Sequence, residues 1–448
     1  MTVACSGSPD VFIITLDTTR ADHLGVYGYE RGVTPELDRF ASDAVVYRRA
    51  WSTSAWTLPA HASILTGKHP TNHGAHFNAA SGEANLGEVL SQPLSQTTAG
   101  PVSLIKVNRL GEQEVTVAEL LAARGYETGA FVGGPWLTAP FGALQGYDEQ
   151  NADIADINGR DAAELTDAAV AWLQSRPRGK SVHLLLNYFD PHAPHRSHPE
   201  YGELPPITLP PPNRSHAVAL GTLSPDERAL RIDGYDDELR HMDHHFGRLI
   251  RELRQMNRYD DALIIVVGDH GEAFGEHGYV DHTYWLYEEI LRVPLIVRFP
   301  GGSRSGQVSD DAVSVVDLVP MIAQVTGVPI PEGVDGVVFG TRDVAVAEVY
   351  RDALAISGPY GSIFDRDLFA AIHWPWKLIV SDTGAIALYR LDRDPLELEN
   401  RADGKEEQEL LRRLTSLREG FEPPGHLAPP TGVDPATRRR LGELGYIE

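Results

Sequence analysis

Short runs of consecutive apolar, often β-branched residues recur along the chain at Val11–Leu16, Thr128–Val132, Val182–Phe189, Ala262–Val267 and Pro294–Phe299. Runs without polar alternation mark strands buried on both faces, as in a parallel sheet. Helical patterns lie between them. The clearest is Asp233–Asn257, where Leu239, Met242, Phe246, Leu249, Leu253 and Met256 recur at steps of three and four and so form one buried face. The alternation predicts an α/β fold with a mostly parallel central sheet flanked by helices. The first strand ends at Asp17, and functional residues of open α/β sheets sit at such strand ends.

The segments Ser81–Gly111 and Pro199–Asp226 are rich in Ser, Pro, Gly and polar residues, which predicts long loops of the kind that serve as substrate lids. After Pro331–Val337 the texture changes to short strands at Val344–Tyr350, Leu368–His373 and Leu378–Val380, followed by an acidic helix near Lys405–Phe421. The division expected is a tail over 1–9, a catalytic α/β domain over 10–335 and a small α+β domain over 336–448. No internal repeat interrupts it.

A net charge of −24, from 63 acidic against 39 basic residues, argues against an electrostatic grip on nucleic acid or on anionic membrane. An anionic substrate then needs local positive charge, for which divalent cations are the natural source. Cys5, the single cysteine, excludes internal disulfides. Its setting, Met1-Thr-Val-Ala-Cys5-Ser-Gly-Ser-Pro, is similar to the end of a bacterial lipoprotein signal, with no charged or apolar region before it. A lipid anchor at Cys5 would place the protein in the bacterial periplasm or cell envelope; without one, the expectation is cytoplasmic.

Four segments carry candidate chemistry. Asp17-Thr-Thr-Arg20-Ala-Asp22 follows the first strand. Thr57-Leu-Pro-Ala-His61-Ala-Ser-Ile-Leu-Thr-Gly67 reads as a helix start, with Thr57 as N-cap and Pro59 in the first turn. Such a position favours an alkoxide and an incoming anion through the helix dipole. Tyr188-Phe-Asp190-Pro-His192-Ala-Pro-His195 and Val267-Gly-Asp269-His270-Gly each follow a strand. His241, His244 and His245 read as surface or packing residues, because no carboxylate spacing of a known helical metal motif accompanies them.

In this order, the four segments resemble the signatures of the sulfatase family within the alkaline phosphatase superfamily, and the resemblance spans nearly the whole chain. It implies an alkaline phosphatase-like sheet and a divalent ion (Zn, Mn, Ca or Mg) held by Asp17, Thr57, Asp269 and His270. A second ion would be held by His282 with His192 or His195.

The departures matter as much. Sulfatases place a Cys or Ser, matured to formylglycine, where Thr57 stands. Their signature Arg is His61, the second residue of their Asp-Asp pair is Thr18, a Gly-Lys-x-His segment is Gly133-Gly134-Pro135-Trp136, and a lysine is His282, twelve residues beyond His270. That spacing is similar to phosphoethanolamine transferases. The resemblance therefore implies attack of the Thr57 alkoxide on a phosphate mono- or diester through a phospho-threonine, with His61, His192 or His282 protonating the leaving oxygen. The alternatives are a sulfuric ester hydrolase without formylglycine, a phospho-group transferase and an inactive binding homologue. The expected partner is a small-molecule, glycan or lipid ester.

Overall fold

The computed structural model describes residues 8–78, 107–154, 159–196, 198, 223–352, 361–404 and 408–418. Val11–Leu16 (β1) is buried at every position and lies in the middle of an eight-stranded sheet. Its parallel neighbours are Val182–Tyr188 (β5) and Leu263–Gly268 (β6). Adding Val45–Trp51 (β2), Glu127–Val132 (β3), Glu149–Asn151 (β4), Leu295–Arg298 (β9) and Gln307–Ser314 (β10) gives the order β10-β2-β9-β6-β1-β5-β3-β4. Only β9 runs against the rest, and Ala273–Phe274 (β7) and Val280–Asp281 (β8) form a separate antiparallel pair.

Alternate side chains of β1 feed two separate cores, as the strand period requires. Val11 and Ile13 pack with Leu58, Ala62, Ile64 and Leu65 of the helix Thr57–Thr66. Phe12, Ile14 and Leu16 pack on the other side with Leu239, Met242, Phe246, Leu249 and Leu253 of the long helix Pro225–Gln255. The sheet is thus covered on both faces, which is why its central strands carry no polar alternation.

The long helix starts eight residues before the predicted Asp233. Ser224 accepts from the Glu227 amide while the Glu227 carboxylate accepts from the Ser224 amide, a reciprocal cap that fixes the start at Pro225. Residues 225 and 226, expected as loop, are therefore helical; most of the expected lids, residues 81–106 and 199–222, lie outside the described residues, as does Cys5.

A second, antiparallel sheet is built from Ala345–Val349 (β11), Leu368–His373 (β12), Trp376–Ser381 (β13) and Ile386–Arg390 (β14). The helix Gln408–Arg418 covers it through Leu414. Lys377 of β13 is fully buried, with Nζ 2.9 Å from Glu397 and 3.1 Å from Glu288, and so ties the small sheet to the larger unit. Among the described residues no helix is long and apolar enough to cross a membrane.

Candidate active site

Asp17 follows β1 and Asp269 follows β6, so the parallel pairing of these strands sets the two carboxylates side by side at their carboxyl ends. Both residues are fully buried. Asp269 Oδ1 accepts from the amides of Thr18 (3.1 Å) and His270 (2.8 Å). Asp17 Oδ2 accepts from the Asn187 amide group at 3.2 Å. Asp17 Oδ1 and Asp269 Oδ2 have no hydrogen-bond partner among the described residues. Burial, opposed by Asn187 and His282, raises the Asp17 carboxyl to about 7. Burial and the nearby Asp17 push Asp269 well above the carboxylate range. Two such carboxylates stay ionised together only beside a cation.

His270 completes the set, with donor atoms of all three residues within 4.8 Å of one another. Its Nδ1 lies 3.0 Å from the Gly271 carbonyl, which can only accept, so the proton sits on Nδ1. The Nε2 lone pair then faces inward, 3.4 Å from Asp269 Oδ2 and 3.5 Å from the Thr57 hydroxyl. Two orphaned carboxylate oxygens and one imidazole lone pair fit a divalent cation.

Thr57 is the first helical residue, and Trp56 takes the N-cap position predicted for it. Its hydroxyl caps nothing and is fully buried beside His270. His61, one turn later, donates from Nδ1 to the Thr57 carbonyl at 2.9 Å and accepts at Nε2 from Thr15 at 2.9 Å. Nδ1 also lies 3.4 Å from Asp269 Oδ2. Burial lowers His61 to about 4, so it is a neutral prop in this setting.

Asn187, at the end of β5, was not singled out in the sequence. It donates to Asp17 and to Thr15, while its carbonyl accepts from the amides of Gly133 and Gly134. Its only sequence signal is a polar residue near the end of an apolar strand. Thr18 is a second residue whose form the sequence hid: it adopts φ +48°, unusual for a β-branched residue, and this turns its amide toward Asp269.

The remaining histidines approach from the loops. The His282 ring centroid lies 4.5 Å from that of His270 and 5.1 Å from that of His192. His282 Nδ1 lies 3.3 Å from Glu272 Oε2. Burial works against its charge, but Glu272, Asp281 and Asp17 outweigh that and raise its pKa. His192 stacks on Phe189 at 4.4 Å. His195 lies beside Tyr235, with Nε2 3.2 Å from the Pro191 carbonyl. Among the described residues, the close donor set at this site is Asp17, Asp269 and His270, and it includes neither His282, His192 nor His195.

The Sulfatase family profile matches residues 9–328, more than half of the chain. The chain belongs to the sulfatase family. A profile of the N-sulphoglucosamine sulphohydrolase C-terminal region matches residues 275–420 of this sulfatase-family chain. An arylsulfatase of Clostridium perfringens is 21% identical, over 92% of the chain and 96% of the relative. The human N-sulphoglucosamine sulphohydrolase is 25% identical, over 76% of the chain and 64% of its own length. In fold, the crystal structure of a phosphonate monoester hydrolase of Agrobacterium radiobacter superposes with a TM-score of 0.66 at 19% identity, covering 92% of the chain and 96% of that structure. The chain is accordingly a sulfatase-family hydrolase, and a divalent metal is typical of that family.

Proposed function

We propose that this hydrolase cleaves sulfuric esters of glycans or similar small molecules without formylglycine, using the Thr57 hydroxyl as nucleophile. The reading rests on the burial of that hydroxyl at the head of its helix, 3.5 Å from the lone pair of His270 and beside the Asp17–Asp269 pair. The sulfatase relatives favour a sulfuryl group as the one transferred.

Asp17, Asp269 and His270 would hold the divalent ion, which supplies positive charge favouring the ionised hydroxyl and the anionic ester. The remaining work falls to this chain's own groups. The helix N-terminus adds its dipole in favour of negative charge at Thr57. His61 holds the Thr57 carbonyl, and Asn187 fixes Asp17 by a direct hydrogen bond while a chain Asn187–Thr15–His61 joins it to His61. His282, whose pKa Glu272 raises, donates a proton to the leaving oxygen, and His192 orients the ester. The Thr57 hydroxyl gives up its proton to water, its oxygen bonds to the sulfuryl group as the S–O bond of the ester breaks, and the alcohol departs with the proton from His282. Water then cleaves the threonine ester.

A second reading, hydrolysis of phosphonate or phosphate esters, is favoured by one observation: an alcohol, not an aldehyde hydrate, stands at the nucleophile position. The phosphonate monoester hydrolase of the same fold is consistent with it. Turnover of matched aryl sulfate, phosphate, phosphate diester and phosphonate, together with N- and O-sulfated glucosamine, separates the two. Sulfate release with the phosphorus esters inert supports the first reading; phosphorus-ester turnover alone replaces it with the second.

A further inference from the structure

His241, which the helical pattern alone assigns to packing, has carboxylate neighbours contributed by two other segments. Its Nε2 lies 2.9 Å from Asp161 Oδ2 and 3.8 Å from Asp190 Oδ1. Asp161 is the N-cap of the helix Ala162–Ser175, its Oδ1 accepting from the Ala163 amide. Asp190 stands in the turn after β5 and accepts from the Ala162 amide through Oδ1. One donor atom from each of the three residues lies within 4.8 Å of the others.

The Asp190 side chain is 2% exposed, and its Oδ2 has no hydrogen-bond partner among the described residues. A buried carboxylate oxygen without a donor is costly unless a cation is close. Nearby charge adds to the deficit. Glu238, one turn before His241, holds His198 at 2.8 Å, and the His198 ring stacks on His241 with centroids 4.0 Å apart. The cation nearest to the carboxylates in an ion pair is Arg196, 3.6 Å from Asp161 Oδ2.

We propose that Asp161, Asp190 and His241 form a second metal site, made of residues separate from those of the active site, which takes a zinc-class divalent transition ion. Tetrahedral nitrogen and oxygen ligands at about 2.0–2.1 Å from zinc stand roughly 3.3 Å apart. The observed 2.9 and 3.8 Å bracket that edge, so small side-chain shifts complete the geometry. A mixed imidazole and carboxylate set suits such an ion better than Ca²⁺, which takes oxygen ligands alone. The ion ties together the head of one helix, the flank of the long helix and the turn that carries His192 two residues beyond Asp190. Its role is to position that turn; it does not touch the ester.

The test is Co²⁺ binding to full-length, metal-stripped protein in which Asp269→Asn disables the active-site set. The expected result is one Co²⁺ per chain with the visible bands of a low-coordinate ion, lost on adding His241→Gln. If His241→Gln does not fold, Asp161→Asn keeps the cap oxygen and the fold, and should weaken Co²⁺ binding at least tenfold. Absence of Co²⁺ binding in the Asp269→Asn protein overturns the proposal. So does binding that is unchanged by His241→Gln or Asp161→Asn.

Discussion

Replacing Thr57 by valine removes one hydroxyl and little else, which makes it the sharpest test of the nucleophile. The residue is wholly buried, and its hydroxyl makes a single long contact, 3.5 Å to His270 Nε2, with no capping bond. An ordinary hydrogen bond contributes about 0.5–1.5 kcal/mol net, and one this long lies at the weak end. Valine keeps the branched shape and gives up only that weak bond, so stability should change by less than about 1 kcal/mol. Activity should respond on another scale. Losing a covalent nucleophile costs roughly 10⁴–10⁶ in kcat, or about 5–8 kcal/mol at 1.36 kcal/mol per decade. Steady-state kcat/KM on an aryl sulfate and an aryl phosphonate, with thermal denaturation and elemental metal analysis alongside, reads all three quantities on one preparation. Thr57→Ser keeps the hydroxyl and should keep most of the activity. If Thr57→Val turns over within tenfold of the parent while folded and metal-loaded, Thr57 is not the nucleophile.

Asp269→Asn should lower bound metal and abolish turnover, and chelation of the parent should lower its melting temperature, since a ligand at a hundred times its Kd contributes about 2.7 kcal/mol; an unshifted melting curve on chelation would argue against an ion at Asp17, Asp269 and His270. Gly271→Ala should destabilise by about 1–3 kcal/mol and impair metal uptake, because its Cβ would lie 1.9 Å from the Glu289 carbonyl oxygen; denaturant titration and metal analysis check this. Lys377→Met should cost about 3–5 kcal/mol by stranding Glu397 and Glu288, also read by denaturant titration. His183 is buried between Tyr147 and the Val11 carbonyl, and burial lowers it to about 4. Its folded pKa lies below the unfolded value near 6.5, so its contribution is present above pH 6.5 and is lost as pH falls toward 4, by at most about 3 kcal/mol. Denaturant midpoints from pH 7 to 4 should therefore fall less steeply in His183→Gln, and an equal slope would refute the assignment.

Sequence legibility followed burial. β1, β5 and β6 are continuous apolar runs because both their faces are covered, and they could be read directly. β2 and β10 lie toward the sheet edge, where Arg48 and Arg49 or Asp310 and Asp311 interrupt the pattern, and they were not expected. The first turn of the long helix is hidden from the periodicity because residues 225–229 face solvent, although Ser224 and Glu227 carry a cap signal. At the site, Asp17, Asp269, His270 and Thr57 were legible as segments that follow strands or begin a helix. Their convergence on one ion came only through the family resemblance, and Asn187's role came from neither source, since both depend on pairing between strands far apart in sequence. The carboxylates near His241 were hidden for the same reason: they come from outside its own helix.

The central place of β1 has a consequence for how the chain is made. Its two neighbours lie roughly 170 and 250 residues downstream, so at a synthesis rate of about 5–20 residues per second the later one follows it by roughly 13–50 s. For roughly the first 9–34 s of that interval a strand buried at every position in the finished molecule has neither partner strand available, and for the rest it has only β5. Phe12, Ile14 and Leu16 are then a target for chaperones that hold nascent chains, and a truncated product ending before Leu263 is expected to aggregate instead of folding to a smaller unit.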